Sequence, residues 1–280
     1  MNNKSASDIL QYFQVKDKDK ILRKLNKIIK DGKDKLVFLI DFDRTLTIGK
    51  DKTGKDNTSW EILGGHLSSK AHDKQHALYE KYRPLELSGE MTKEEAMSWA
   101  NQVLTIFAKD NINLTEVEKD FRQKTEIRSG AKELLDVCKN LGIPTVILSA
   151  GIKQIIDLWS KIFRVSPTLV LATEVITDQN GTIVDWNRNI IHHLNKKEIA
   201  HEELTRIKIQ RPNTILIGDA IEDADMNDGD ENVLRIRVHN PREDEGISKT
   251  DFYKKTFKKF DLMIETGTLE PVLKILDEMN

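Results

Sequence analysis

The chain has 280 residues, 38% of them hydrophobic, enough to bury one full core and a second, smaller one, since domains commonly run to about 100–200 residues. Its 44 basic side chains nearly balance its 46 acidic ones, so no global field favours nucleic acid or an anionic membrane, and neither is expected as a partner. Cys138 is the single cysteine, which excludes an intramolecular disulfide and a multi-thiolate metal site and points to a reducing cytoplasm.

Met1 to Gln14 mixes Asn, Lys, Ser and Asp with few apolar residues and lacks the apolar core of a signal peptide. No segment reaches membrane-spanning length. Ile21, Leu22, Leu25, Ile28 and Ile29 share one face of a predicted helix whose other face is lysine; it packs on the domain or, as an alternative, binds a membrane or a calmodulin-like partner. Leu36 to Ile40 is a short apolar run that reads as a buried strand. Ile48 to Asp56, with Gly49 and Gly54 among charged residues, reads as a polar hairpin.

Residues 57–125 read as helix after helix, without a strand. Helical spacing then recurs in Ala131, Leu134, Leu135 and Cys138 before Gly142, and in Ile152, Ile155, Ile156 and Trp159. Between and beyond these lie the further strand candidates Thr145 to Leu148, Thr168 to Ala172, Thr214 to Ile217, Val233 to Val238 and Leu262 to Ile264. Alternation of strand and helix predicts an α/β fold, a doubly wound, Rossmann-like parallel sheet, with an α-helical cap inserted between its first and second core strands. The expected division is an N-terminal helical segment over 1–35, an α/β core over 36–56 and 126–280, and the cap over 57–125.

Chemistry concentrates where strands end. Asp41-Phe42-Asp43-Arg44-Thr45-Leu46-Thr47 follows the first strand, and ligands of open α/β sheets bind at the carboxyl ends of strands. Strand alternation sends Asp41 and Asp43 to one side and Phe42 to the other. Two carboxylates facing one small volume repel, so a cation or a shared proton must offset them. Capping of the following turn is the competing role for both. Ser149-Ala150-Gly151 places a hydroxyl and small residues at the expected opening of a helix, where exposed N–H groups bind phosphate; Ser149 is equally suited to capping that helix. Asn195-Lys196-Lys197 opens another helix. Ile217-Gly218-Asp219-Ala220-Ile221-Glu222-Asp223 brings two more carboxylates to a strand end, without EF-hand spacing and with a donor set that suits Mg²⁺.

In order and interval these four segments resemble the haloacid dehalogenase superfamily, and within it the cytosolic pyrimidine 5'-nucleotidase branch, over roughly residues 36 to 280. The resemblance implies that Asp41 is a nucleophile that becomes an aspartyl phosphate, and that Asp43 protonates the leaving oxygen and later deprotonates water. It implies that Ser149, Ala150 and Lys196 bind the phosphoryl group. It also implies that Mg²⁺ is held by Asp41, Asp43 through its backbone carbonyl, and Asp219, with Asp223 positioning metal-bound water. A second carboxylate two residues after the nucleophile suits a phosphatase rather than a dehalogenase.

In the cap, Glu90-Met91-Thr92-Lys93-Glu94-Glu95 resembles the segment that supplies a base-recognising glutamate in that branch. Glu94 and Glu95 are therefore candidate base ligands, although Thr-x-x-Glu is also a helix-capping box. Trp60 and Trp99 are candidates for stacking on a base or for core packing. His66, His72 and His76 suit a polar helix face as well as a metal cluster. The expected activity is a phosphomonoesterase acting on a small-molecule phosphate ester, a nucleoside 5'-monophosphate foremost; phosphatase action on another metabolite such as phosphoserine, or a catalytically silent binding role, are the alternatives.

Overall fold

The computed structural model describes residues 6–50, 54–206, 211–229, 232–240 and 248–279. Helix α1 (Ala6–Ile9), strand β1 (Gln14–Val15) and helix α2 (Lys18–Asp31) lead into β2 (Leu36–Ile40). Five helices follow before the next strand: α3 (Ser59–Gly64), α4 (Ser69–Ser88), α5 (Lys93–Lys109), α6 (Leu114–Lys124) and α7 (Ala131–Leu141). The chain continues through β3 (Thr145–Ile152), α8 (Lys153–Phe163), β4 (Leu169–Thr173), β5 (Val175–Thr177) and β6 (Ile183–Trp186). Last come α9 (Lys196–Arg206), β7 (Asn213–Gly218), β8 (Val233–Val238), α10 (Lys249–Thr256), β9 (Leu262–Ile264) and α11 (Glu270–Asp277).

Among the described residues seven strands form one sheet in the order β1-β9-β8-β7-β2-β3-β4. All its pairings are parallel except that of β1 with β9. From the central β2 the chain moves outward through β3 and β4, then returns to the other side for β7, β8 and β9. The reversal of winding lies between β2 and β7, so the carboxyl ends of these two strands flank the crevice where α/β sheets bind ligands.

Continuous burial of Leu36–Ile40 reflects a strand covered on both faces. Leu36, Phe38 and Ile40 belong to the apolar layer containing α2, α7, α8 and α11, whereas Val37 and Leu39 belong to the layer containing Ala200 of α9. The same alternation carries past the strand end. Phe42 packs edge-on against Trp159 of α8 with ring centroids 5.2 Å apart, a burial that contributes about 1.5–3 kcal/mol, while Asp41 faces α9.

Leu63 of α3, Val103, Leu104 and Phe107 of α5, and Val117 and Phe121 of α6 join the first of these layers. Helix α2 is capped by Asp17, whose side chain accepts from Lys20 N, and it ends at Gly32. Its apolar face is buried, as the packed alternative expected. Lys24 departs from the expected solvated face: 5% exposed, it donates to Asp261 at 2.8 Å and to the Val233 carbonyl at 3.0 Å.

Several boundaries differ from the sequence expectations. Strand β3 runs four residues past Leu148, because Ile152 re-pairs with Thr173 of β4 after a register shift; α8 therefore begins at Lys153, and Ser149 is a strand residue instead of a helix cap. Strand β4 begins at Leu169, one residue later than expected. Strand β1 was too short for a two-residue period to show. The β5–β6 hairpin was also missed, although Asn180-Gly181 is a hairpin signal; Asp178 Oδ1 accepts from Asn180 N and Thr182 N and closes that turn. In the expected polar hairpin, Lys50 and Asp56 form an antiparallel bridge, and its tip, residues 51–53, lies outside the described residues.

Candidate active site

Asp41 N donates to the Ile217 carbonyl at 2.9 Å, which carries the β2–β7 ladder one step past the strand and places the Asp41 carboxylate at the switch point. Lys196, first residue of α9, reaches it there. Its Nζ lies 2.5 Å from Asp41 Oδ1 and 2.7 Å from Asp223 Oδ1. All three side chains are buried. Burial works against the ammonium, yet Asp223 and Asp41 outweigh it and hold Lys196 protonated beyond its ordinary range. Burial raises the Asp41 carboxyl, with Lys196 opposing the rise and Asp223 adding to it.

Oxygen atoms of Asp41, Asp219 and Asp223 lie within 4.8 Å of one another, and among the described residues these form the cluster able to hold a metal ion. All three carboxylates are buried, and Lys196 pairs with two of them. All-oxygen donors suit a hard divalent cation such as Mg²⁺, so the residues present fit that ion. The Asp43 carboxylate is not part of the trio. The three cap histidines do not converge either: His66 lies 3.8 Å from Asp120 and His76 lies 3.7 Å from Glu80.

Backbone geometry makes this cluster possible. A Cβ on Gly218 would lie 2.4 Å from Asp223 Cβ, so only glycine lets the short 3₁₀ helix Ile221–Met226 fold back over β7. Asp223 Oδ2 then accepts from Ala220 N at 3.0 Å, fixing its carboxylate. Arg237 of β8, 2% exposed, donates to the Asp219 carbonyl at 2.8 Å, and Thr45 Oγ1 donates to Asp219 Oδ1 at 3.3 Å.

Asp43 occupies a different setting. Its Oδ1 accepts from Ser59 N at 2.9 Å and its Oδ2 from Ser59 Oγ at 2.8 Å. Burial raises the Asp43 carboxyl above its ordinary value, the two Ser59 bonds opposing the rise. Ser149, 1% exposed, accepts from Gly151 N at 3.0 Å. A Cβ on Gly151 would fall 2.1 Å from Ser59 Oγ, 2.8 Å from Asp43 Oδ2 and 3.0 Å from Ser149 Oγ. Three oxygens thus converge where residue 151 has no side chain. Ala150 takes part through its carbonyl, which accepts from Trp60 Nε1 at 3.0 Å.

Sequence reasoning overlooked the residues that hold the Asp41–Thr47 loop. Arg44 sits at φ 66°, a left-handed conformation costing about 1–3 kcal/mol outside glycine. Arg128, 4% exposed, offsets it by donating to the carbonyls of Arg44, Thr45 and Thr47 at 2.5, 2.7 and 3.2 Å, and to that of Gly267 at 2.8 Å. An isolated arginine before a helix carries no sequence signal of such a role. Ser59 was likewise invisible, because its partner lies 16 residues away.

The cap residues divide. Thr92 and Glu95 form a reciprocal capping box at the start of α5; the Glu95 carboxylate is engaged by Thr92 N and Oγ1 at 2.9 and 3.0 Å. Glu94 is exposed. Trp99 stacks on Tyr82 with centroids 5.7 Å apart, and Trp60 packs against Phe107. A cleft of about 310 Å³ lies between the start of α5 and the core, lined by Lys93, His193, Leu194, Lys196 and Glu222 among others. The Lys93–Glu198 ion pair crosses it at 2.7 Å, and His193 Nδ1 lies 3.6 Å from Glu86 Oε1.

The profile described as pyrimidine 5'-nucleotidase (UMPH-1) matches residues 44–280. A 7-methylguanosine phosphate-specific 5'-nucleotidase of Xenopus laevis is 25% identical over 251 residues, covering 83% of this chain and 85% of the relative. The crystal structure of cytosolic 5'-nucleotidase IIIB bound to cytidine superposes with a TM-score of 0.83 at 21% identity, covering 99% of this chain and 97% of that one. A substrate-bound phosphoserine phosphatase gives a TM-score of 0.56 at 19% identity, covering 86% and 97%. Among the described residues no helix is long and apolar enough to cross a membrane.

Proposed function

The chain belongs to the pyrimidine 5'-nucleotidase (UMPH-1) family and is a phosphoric monoester hydrolase of the haloacid dehalogenase type; on that premise we propose that it hydrolyses nucleoside 5'-monophosphates through an aspartyl-phosphate intermediate, with Mg²⁺. One observation carries this reading. Two carboxylates two residues apart stand in opposite surroundings, Asp41 against a buried ammonium and Asp43 against a hydroxyl and an N–H. Separated environments assign nucleophile and acid to two otherwise identical side chains.

In the first half-reaction an Asp41 oxygen attacks phosphorus, the phosphorus–ester oxygen bond breaks, and Asp43 delivers its proton to the departing nucleoside oxygen. The raised Asp43 carboxyl suits that proton-holding role. In the second, water attacks phosphorus, Asp43 takes the water's proton, and Asp41 is released with inorganic phosphate. Lys196 keeps its charge throughout and neutralises negative charge on Asp41 and the phosphoryl oxygens. Ser149 and the backbone around Ala150 orient the phosphoryl group. Asp41, Asp219, Asp223 and the Asp43 carbonyl would hold Mg²⁺, which would supply the further positive charge that lets an anionic nucleophile meet an anionic ester.

The helices over residues 57–125 act in this reading as a cap, with the exposed Glu94, next in sequence to the cleft-lining Lys93, as acceptor for an amino group of the base. Cytosine N4 offers such a donor and uracil does not, so CMP is favoured over UMP. A guanine base also presents an amino group, which accommodates the substrate named for the Xenopus laevis relative. A buried free thiol at Cys138 suits a cytoplasmic setting.

Phosphate release from CMP, UMP, 7-methylguanosine 5'-monophosphate and phosphoserine, each with Mg²⁺ and with EDTA, tests the substrate class. Acid quenching with ³²P-labelled substrate tests the intermediate: label stays on the wild-type protein and is absent from Asp41→Asn, which keeps nearly the same volume. Metal-dependent turnover by pure Asp41→Asn would overturn the covalent route.

A further inference from the structure

We propose that Ser59 is a positioning residue that holds the Asp43 carboxylate in the orientation from which it protonates the leaving oxygen, an inference that rests on the reading of Asp43 as acid and base. Ser59 is fully buried, although serine is ordinarily a surface residue, and both of its polar groups converge on one side chain. Its N–H donates to Asp43 Oδ1 at 2.9 Å and its hydroxyl to Oδ2 at 2.8 Å. Contact at both oxygens fixes the plane of the carboxylate, which a single hydrogen bond leaves free to rotate.

Ser59 is itself held from the opposite side. Ile152 N donates to Ser59 Oγ at 3.1 Å, so the hydroxyl proton is directed to Asp43 and the oxygen lone pair to the end of β3. Next to it Trp60 Nε1 donates to the Ala150 carbonyl at 3.0 Å. Helix α3 therefore attaches at two points to the strand end that carries Ser149, and Gly151 leaves the room for that approach. The first turn of the inserted helical segment places the proton donor relative to the phosphoryl-binding strand. A capping role alone would engage Ser59 N; it leaves unexplained a buried hydroxyl that bridges Asp43 and Ile152.

The test exploits the leaving group. Protonation matters for a nucleoside alkoxide and little for p-nitrophenolate, so loss of a positioned acid discriminates between the two esters. Single-turnover rates with enzyme in excess isolate the first half-reaction. For Ser59→Ala the rate of nucleoside release from the preferred nucleotide is expected to fall on the order of tenfold or more, with release of p-nitrophenol changed by less than about threefold and KM within about twofold.

Ser59→Cys, similar in size but a weaker donor, carries the same comparison should the alanine variant lose its fold, which thermal unfolding reports. Equal losses on both esters, or no loss on either, overturn the proposal. Asp43→Asn serves as the reference. If it lacks the leaving-group signature, the reading of Asp43 as acid fails; if it shows the signature and the Ser59 variants do not, only the role of Ser59 fails.

Discussion

The Nζ of Lys196 lies 2.5 Å from Oδ1 of Asp41, a pairing of two buried side chains that the sequence separates by 155 positions. Removing the ammonium strands Asp41 and Asp223 as uncompensated buried carboxylates. Lys196→Met is expected to lower stability by about 3–5 kcal/mol without divalent cation, and Mg²⁺ is expected to recover part of it by supplying charge to the same oxygens. Urea unfolding with EDTA and with Mg²⁺ checks this; a deficit identical in both would separate Lys196 from the metal cluster.

Asp219 contributes one of three carboxylates to that cluster. Asp219→Asn is expected to raise the Mg²⁺ concentration needed for half-maximal activity by on the order of tenfold or more while the folded baseline stays intact, because a hard cation held by few charged ligands loses a large share of its attraction. An activity titration with Mg²⁺ reads the shift. Unchanged half-saturation would place the cation elsewhere.

Gly151 has no side chain where three oxygens meet. In Gly151→Ala the new methyl must displace Ser59 Oγ, which it would otherwise approach to 2.1 Å, and Asp43 moves with it. Turnover is expected to fall on the order of a hundredfold, the scale of an ångström-sized misplacement, with Mg²⁺ affinity retained. Full activity in this variant would show that the site has slack at that point.

His192, 6% exposed, has its pKa lowered from 6.5 to about 4 by burial, with His193 and Lys93 adding to the shift and Glu198 opposing it. The unfolded chain therefore binds a proton that the folded chain refuses between these values. This contribution to stability is complete above pH 6.5 and is lost as pH falls toward 4. Urea unfolding of wild type and His192→Gln across pH 4–7 should show a shallower acid loss in the variant; parallel curves would count against His192 as the source.

Glu94 and Glu95 are neighbours with different duties. Glu95 is spent on the Thr92 cap, so Glu95→Gln, which preserves the capping geometry, should leave kcat/KM for CMP and UMP within about twofold. Glu94→Gln should lower kcat/KM for CMP selectively, on the order of tenfold, if its carboxylate accepts from the base amino group. Equal effects on CMP, UMP and a baseless phosphate ester would remove the glutamate from base recognition.

Strand-end carboxylates were legible because their signal is local. An apolar run such as Leu36–Ile40 must be buried on both faces, and the first charged residue after it must lie at the sheet's edge. Asp41 and Asp219 follow from that rule, and motif order pointed to Lys196 and Asp223. The fold brings all four together. Alternation along β2 likewise anticipated that Phe42 would leave Asp41 and pack into the opposite layer, where Trp159 receives it.

What only the tertiary structure decided depends on distance through space. Ser149 was expected at the opening of a helix, as a phosphate ligand or as that helix's cap; pairing of Ile152 with Thr173 kept it in the strand. Arg128 was indistinguishable from the other basic residues until its guanidinium was placed against four carbonyl oxygens. Ser59 carried no mark, since a serine at a helix start is ordinary, and its meaning comes from Asp43 and Ile152, 16 and 93 residues away. Local sequence determines which groups sit at strand ends, because burial and periodicity act on neighbours; which groups orient them is decided by contacts that form only when distant segments pack.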